Sequence, residues 1–321
     1  MTKRRLQLTA IASIAFTLFF AHSRCDAQTG AEVRAASVLL KQFEVVAYAK
    51  TEFLSGSEPQ GGAEVDAESH LRLPFLALIG SLRYLGKTTE SGIEESYGSV
   101  VVGARDFISP QGLGMVNSST CYIGILKSGA QPNVETYFRQ ATHESIEGRQ
   151  GWTWSVPPYE GYPKPTKFYA AQIADSYFVL SNNLQDFQAV TTSLTAPEGA
   201  TAAFTGVPGW TAFSAQNYWL YRSVRRSGAI DPDAAGTSVL TPDVSAIFFF
   251  ADPGKRQGTL RVLSSDTTMK TKPNVLPDSE LSRLQSQGAG TWQAILPLAK
   301  DEPSFDAMFH LFYFLGYGIA I

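Results

Sequence analysis

The 321 residues carry 26 Lys and Arg against 29 Asp and Glu, with 44% hydrophobic and 17% charged residues, a globular composition and not a disordered one. Net charge is −3, and it becomes 22 − 28 = −6 if residues 1–27 are removed. A mildly acidic chain without a concentrated basic surface excludes nucleic acid as a partner class.

The N-terminus reads as a secretory signal. Lys3, Arg4 and Arg5 form a positive start, Leu6 to Phe20 an apolar stretch, and Cys25-Asp26-Ala27 a small-x-small cleavage box. Export with cleavage near Ala27 is expected, leaving a chain of periplasmic or extracellular location that begins at Gln28. The apolar stretch is diluted by Gln7, Thr9, Ser13 and Thr17 and falls short of the roughly 20 residues that span a bilayer. After cleavage Cys121 is the single cysteine, so no disulfide framework is expected.

Ala31 to Lys50 has apolar residues at Val33, Ala36, Leu39, Leu40, Phe43, Val46 and Ala47, spacings that predict one long amphipathic helix. A Gly- and Pro-punctuated loop over Thr51 to Ser69 follows, then a very apolar helix opened by Pro74 and running to Leu85. Strands are predicted at Ser99–Ala104, Thr120–Lys127, Trp152–Val156, Thr166–Ile173 and Tyr177–Leu180. Helices are predicted at Asn133–His143 and at Leu184–Leu194, the latter capped by Asn182 or Asn183.

Thr195 to Gly209, rich in Ala, Thr, Gly and Pro, divides the chain into a region 28–200 and a region 201–321. The second region is expected to hold a helix at Thr211–Arg226, a hairpin of Val244–Phe250 with Thr259–Ser264 turned at Asp252-Pro253-Gly254, and a short helix at Asp278–Gln285. A strand at Thr291–Leu296 and a terminal helix at Phe305–Leu315 complete it. The terminal helix is aromatic, but at about 1.5 Å per residue its length is roughly half of a bilayer's hydrocarbon core, so no transmembrane span is expected in the mature chain.

The order of these elements implies an α+β fold: antiparallel sheets with helices packed on one face, in two halves that are expected to be related. The segment Thr166 to Leu194, a strand, the turn Ala174-Asp175-Ser176, the strand Tyr177-Phe178-Val179-Leu180-Ser181 and a capped helix, resembles a unit of uncharacterised exported bacterial α+β proteins with repeated strand-strand-helix units. The resemblance implies topology and location and brings no catalytic residue with it.

No decisive catalytic, metal or cofactor signature is present, so no catalytic residue, metal ligand or cofactor is assigned. His143 and Glu147 would share a helical face, but the second histidine of a zincin helix is absent. Ser118 or Ser119 with His143 lacks the Gly-x-Ser-x-Gly elbow. Two surfaces stand out instead. Trp152 and Trp154 alternate with Thr153 and Ser155, which puts both indoles on one face of a strand, and Tyr159 and Tyr162 follow in a proline-stiffened loop, together a candidate surface for a small ligand or a protein partner. Arg222, Arg225 and Arg226 would cluster in the last turn of the expected helix at Thr211–Arg226 as a candidate anion site. The favoured reading is an exported protein of non-enzymatic ligand-binding or structural role. The alternatives are a secreted hydrolase with a dispersed site near His143 and the Trp152–Tyr162 segment, and an envelope protein held to membrane or partner by its apolar C-terminus.

Overall fold

Strands with two apolar faces dominate the architecture, which is a computed structural model. It describes residues 30–43, 45–50, 96–105, 119–132, 134, 141–156, 166–197, 218–223, 244–252, 257–268, 270–273 and 282–297. Helix α1 (residues 30–42) leads into β1 (Val45–Lys50), β2 (Tyr97–Arg105), β3 (Ser119–Leu126), β4 (Thr142–Ile146), β5 (Arg149–Val156), β6 (Thr166–Ile173) and β7 (Tyr177–Ser181). Then come α2 (Leu184–Thr195), β8 (Tyr218–Ser223), β9 (Val244–Asp252), β10 (Gln257–Ser264), β11 (Gln285–Gly288) and β12 (Thr291–Pro297).

All twelve strands form one sheet in the order β11-β12-β10-β9-β8-β1-β2-β3-β7-β6-β5-β4. Every adjacent pair is antiparallel. The path is the same on both sides of the β1/β8 seam. Three strands run outward as a meander (β1-β2-β3; β8-β9-β10), and the chain then returns so that its last strand pairs with the third (β7 on β3; β12 on β10). The expected α+β class with two related halves is what the sheet shows.

One face of the sheet carries Val46, Tyr48, Val101, Cys121, Ile123, Ile125, Ala171, Ile173, Val179, Trp219, Tyr221 and Phe248, and both described helices pack there. Helix α1 contributes Ala35, Ala36, Val38, Leu39 and Leu40 to this core, Phe43 follows directly after the helix, and α2 contributes Phe187, Val190 and Leu194. The helices are also tied to each other. Helix α2 has no basic residue in its last turn to meet its unpaired carbonyls, and Arg34 of α1 supplies the donor, its guanidinium reaching the carbonyl oxygens of Ser193 (3.4 Å) and Ala196. The opposite sheet face is apolar and buried as well, with Val100, Val102, Tyr122, Leu180, Leu220, Phe249, Leu260 and Val262.

Asn183 caps α2, its side-chain oxygen accepting the Asp186 N–H at 3.1 Å, while Asn182 accepts the Thr120 N–H at 2.8 Å. Beneath the cap the Ser119 hydroxyl donates to the buried carboxylate of Asp186. The start of β3 is thereby pinned to the β7–α2 junction.

Parts of four expected helices are strands. The helix expected at Ala31–Lys50 stops at residue 42, and Val45–Lys50 is β1, at the centre of the sheet. In that strand Val46 faces the helices and Ala47 the other side, so adjacent apolar residues mark burial on both faces and not a helical stripe. Likewise Tyr218–Ser223 of the expected helix Thr211–Arg226 is β8, whose Trp219 and Leu220 are buried on opposite faces. The end of the expected helix Asn133–His143 is β4, and Gln285, expected to close a short helix, opens the edge strand β11. The segments 1–27, 51–69 and 74–85, Pro253 and Gly254 of the expected turn, and the terminal helix Phe305–Leu315 lie outside the described residues.

Candidate functional site

Strands β4 to β6 form one end of the sheet, with β4 outermost. The β4–β5 hairpin is closed by Glu147 and Gly148, both at positive φ (51° and 80°), the two-residue geometry that matches strand twist. This turn fixes the register His143↔Trp152 and Ser145↔Gln150. On the inner side Trp152 pairs with Ala170 of β6. Two residues beyond Ala170 on β6, Gln172 pairs with Phe178 of β7. Gly151 lets these strands close up, because a Cβ there would run into the Ala170 carbonyl oxygen and come within 2.9 Å of Ile146 Cδ1.

Because side chains alternate across a strand, His143, Ser145, Gln150, Trp152, Trp154, Phe168, Gln172 and Phe178 share one face, the one opposite α1 and α2. Depth along it is graded. Trp154 is 8% exposed and stacks on the half-buried Phe168, with centroids 5.4 Å apart and planes at 13°. Trp152 is partly exposed, with the His143 ring edge-on at 5.3 Å and Phe178 at 6.5 Å. His143, Ser145 and Gln150 are exposed and Gln172 is half-buried. The outcome is an indole platform whose orientation is held by two aromatic neighbours and whose rim is polar. The Trp152 Nε1–H is itself buried without a hydrogen-bond partner, as is that of Trp292 on β12.

Glu144 and Lys167 project from the other face. Glu144 accepts from the Thr153 hydroxyl at 2.5 Å and forms an ion pair with Lys167 at 3.4 Å, and the Lys167 ammonium lies 5.4 Å from the centre of the Tyr169 ring. The Thr153 hydrogen bond holds the Glu144 carboxyl below its ordinary range; partial desolvation opposes this, and the Lys167 charge adds to it. Arg149 is on the same face, opposite Ile146.

Neither Ser119 nor Glu147 is brought together with His143, and Ser118 lies outside the described residues. Ser119 and His143 project from opposite faces and lie four strands apart in the sheet order, about 19 Å at strand spacing, so they form no nucleophile–base pair. His143 and Glu147 share no helical face, since one is in β4 and the other in its turn. Among the described residues no three His, Cys, Asp or Glu side chains group as a metal would require. Cys121 is fully buried in β3. Arg222 sits in β8 between Val45 and Ile247, not in a last helical turn, and Arg225 and Arg226, like Tyr159 and Tyr162, lie outside the described residues.

Ser145, Gln150 and Gln172 are the site residues that sequence reasoning missed. The signal for β4 was present in Glu147-Gly148, a turn pair between His143–Ile146 and Arg149–Val156; the shared face of the two glutamines carries no local signal.

No family model matches the chain, and no curated protein matches it. Solved structures of TP0453 in crystal forms IV, III and I are similar to 86% of this chain and to 96%, 97% and 97% of theirs, at 9%, 8% and 10% identity and TM-scores of 0.40, 0.42 and 0.43. A likeness at that level assigns neither a family nor a function. No helix among the described residues is long and apolar enough to cross a membrane, a statement that does not extend to strands.

Proposed function

We propose that this chain is an exported, non-enzymatic binding protein whose ligand seats on the β4–β6 end of the sheet, against Trp152. The observation that carries the reading is the partly exposed Trp152 indole, oriented by His143 and Phe178 and bordered by exposed polar side chains. A rigid aromatic surface that is already ordered loses little side-chain entropy on binding, which is why such residues dominate recognition surfaces. Export is supported by the basic, apolar and small-residue succession of Met1 to Ala27.

The experiment is a comparison of the full chain with Trp152→Ala on arrays of peptides, glycans and small aromatic compounds. Ligands retained by the parent and lost by the variant support the site; identical profiles for the two overturn it. Export is tested separately by N-terminal sequencing after expression in a bacterial host. A mature end at Gln28 agrees with the proposal, and an intact Met1 contradicts it.

A further inference from the structure

Resting on that reading of the Trp152 surface, we infer that its ligand is a neutral oligosaccharide. The chemistry of the two faces carries the inference. Around Trp152 the rim consists of His143, Ser145, Gln150 and Gln172, all able to hydrogen-bond and none carrying a fixed charge, whereas Glu144, Arg149 and Lys167 all project from the opposite face. An ionic ligand would therefore shed its hydration with no opposite charge to meet it. A wholly apolar ligand, such as an acyl chain, would cover the Gln150 and Gln172 amides without partners, at about 1–3 kcal/mol for each group left unsatisfied. A pyranose meets both demands. Its axial C–H face is apolar and packs on an indole, while its hydroxyls donate and accept, as the glutamine amides and the serine hydroxyl also do.

Geometry agrees with chemistry. Gln150 lies one two-residue step, about 6.8 Å, along β5 from Trp152, and Gln172 the same step along β6 from Ala170, the partner of Trp152, so a ring on the indole brings its equatorial hydroxyls toward these amides. On the outer side the residues of β4 from Thr142 to Ser145 are exposed and the sheet ends, which leaves the platform open laterally. An open platform suits a chain of sugar units better than an enclosed monosaccharide. The stacked pair Trp154 and Phe168 forms the more buried, apolar end of the same surface.

The test is calorimetric titration of the full chain with cellohexaose, maltohexaose and N-acetylchitohexaose, and with a uronic-acid hexamer as the charged counterpart. At least one neutral hexamer is expected to bind. Trp152→Ala should weaken that binding by at least about tenfold, and Gln150→Ala and Gln172→Ala by about three- to tenfold each, the scale of one lost hydrogen bond. Trp152→Phe, which keeps an aromatic face, should bind more tightly than Trp152→Ala. Glu144→Gln, on the opposite face, should bind like the parent. If Trp152→Ala loses its native circular dichroism, the exposed Gln150→Ala decides. No binding of any neutral hexamer overturns the inference, as does tighter binding of the charged one, or equal binding by parent, Trp152→Ala and Gln150→Ala. In each case the proposed binding surface stands or falls on its own array experiment: a peptide lost by Trp152→Ala would keep the surface and remove the sugar.

Discussion

The Phe43 ring, at the end of α1, occupies the space that a side chain at Gly103 of β2 would need: a Cβ there would lie 2.6 Å from Phe43 Cδ2 and Cγ. Phe43 is fully buried and β2 is flanked by β1 and β3, so neither partner has room to retreat. Gly103→Ala is expected to destabilise the protein by about 1–3 kcal/mol through overpacking, and Phe43→Ala by about 3–5 kcal/mol through the cavity it leaves. Urea unfolding checks both, and combining the two should cost less than their sum because the truncated ring relieves the clash.

Ser119 and Asn183 both serve Asp186, one at its carboxylate and the other at its N–H. Ser119→Ala removes a donor to a buried carboxylate and should cost about 1–3 kcal/mol. Asn183→Ala removes the N-cap and should cost about 1 kcal/mol. A double-mutant cycle should give a non-zero coupling, since both changes loosen the same first turn; strict additivity would show that the two bonds act independently.

Trp152 and Trp292 each bury an indole N–H that has no acceptor, whereas Trp219, 1% exposed, stacks on Tyr48 with centroids 5.7 Å apart and planes at 16°. Replacing tryptophan by phenylalanine loses packing in all three, but only at 152 and 292 does it also remove an unsatisfied donor, a relief of about 1–3 kcal/mol. Trp152→Phe and Trp292→Phe should therefore lower the unfolding midpoint less than Trp219→Phe does. A larger loss at 152 or 292 would show that the N–H has a partner in solution, an ordered water for example.

Glu144 titrates below its ordinary value of 4.5, chiefly because Thr153 donates to its charged form. Its folded-state value being depressed, the carboxylate's contribution to stability is present above the unfolded-state value and is lost as pH falls through the folded one. The group is exposed, so the effect is small and sensitive to salt. Thr153→Val should raise the Glu144 midpoint measured by side-chain carboxyl NMR, and more than Lys167→Gln does. An unmoved midpoint would leave the threonine hydroxyl without the role assigned to it.

How far the sequence could be read depended on whether a strand shows one face or two. Trp152 and Trp154 alternate with small polar residues, and the strand and its shared indole face are legible from that alone. The Val244–Phe250 and Thr259–Ser264 hairpin is legible too, as β-rich runs either side of a Pro-Gly pair. Val45–Lys50 and Tyr218–Ser223 are not, because helices cover one face and the other is also buried, so apolar residues occupy successive positions and fit a helical stripe equally well. In β4 the opposite condition misleads: Thr142 to Ser145 are all exposed, and an edge strand with no buried face has no period to read. The rim of the Trp152 platform depends on register between strands that are 22 positions apart at Gln150 and Gln172, information held in turns and cross-strand packing and not in either segment.

The seam between β1 and β8 has a consequence in time as well as in space. Strand β1 finds one neighbour in β2, but its other neighbour begins 218 − 50 = 168 residues after Lys50. At about 5–20 residues per second, synthesis leaves that side of β1 unpaired for roughly ten to thirty seconds. During this interval the nascent first half displays a row of free N–H and C=O groups on a strand whose Val46, Ala47 and Tyr48 are destined for burial on both faces, the kind of edge that recruits other strands. The strand that joins the halves of the finished sheet is thus an adhesive surface of the unfinished one, and a chain that stalls before Tyr218 is expected to aggregate through it.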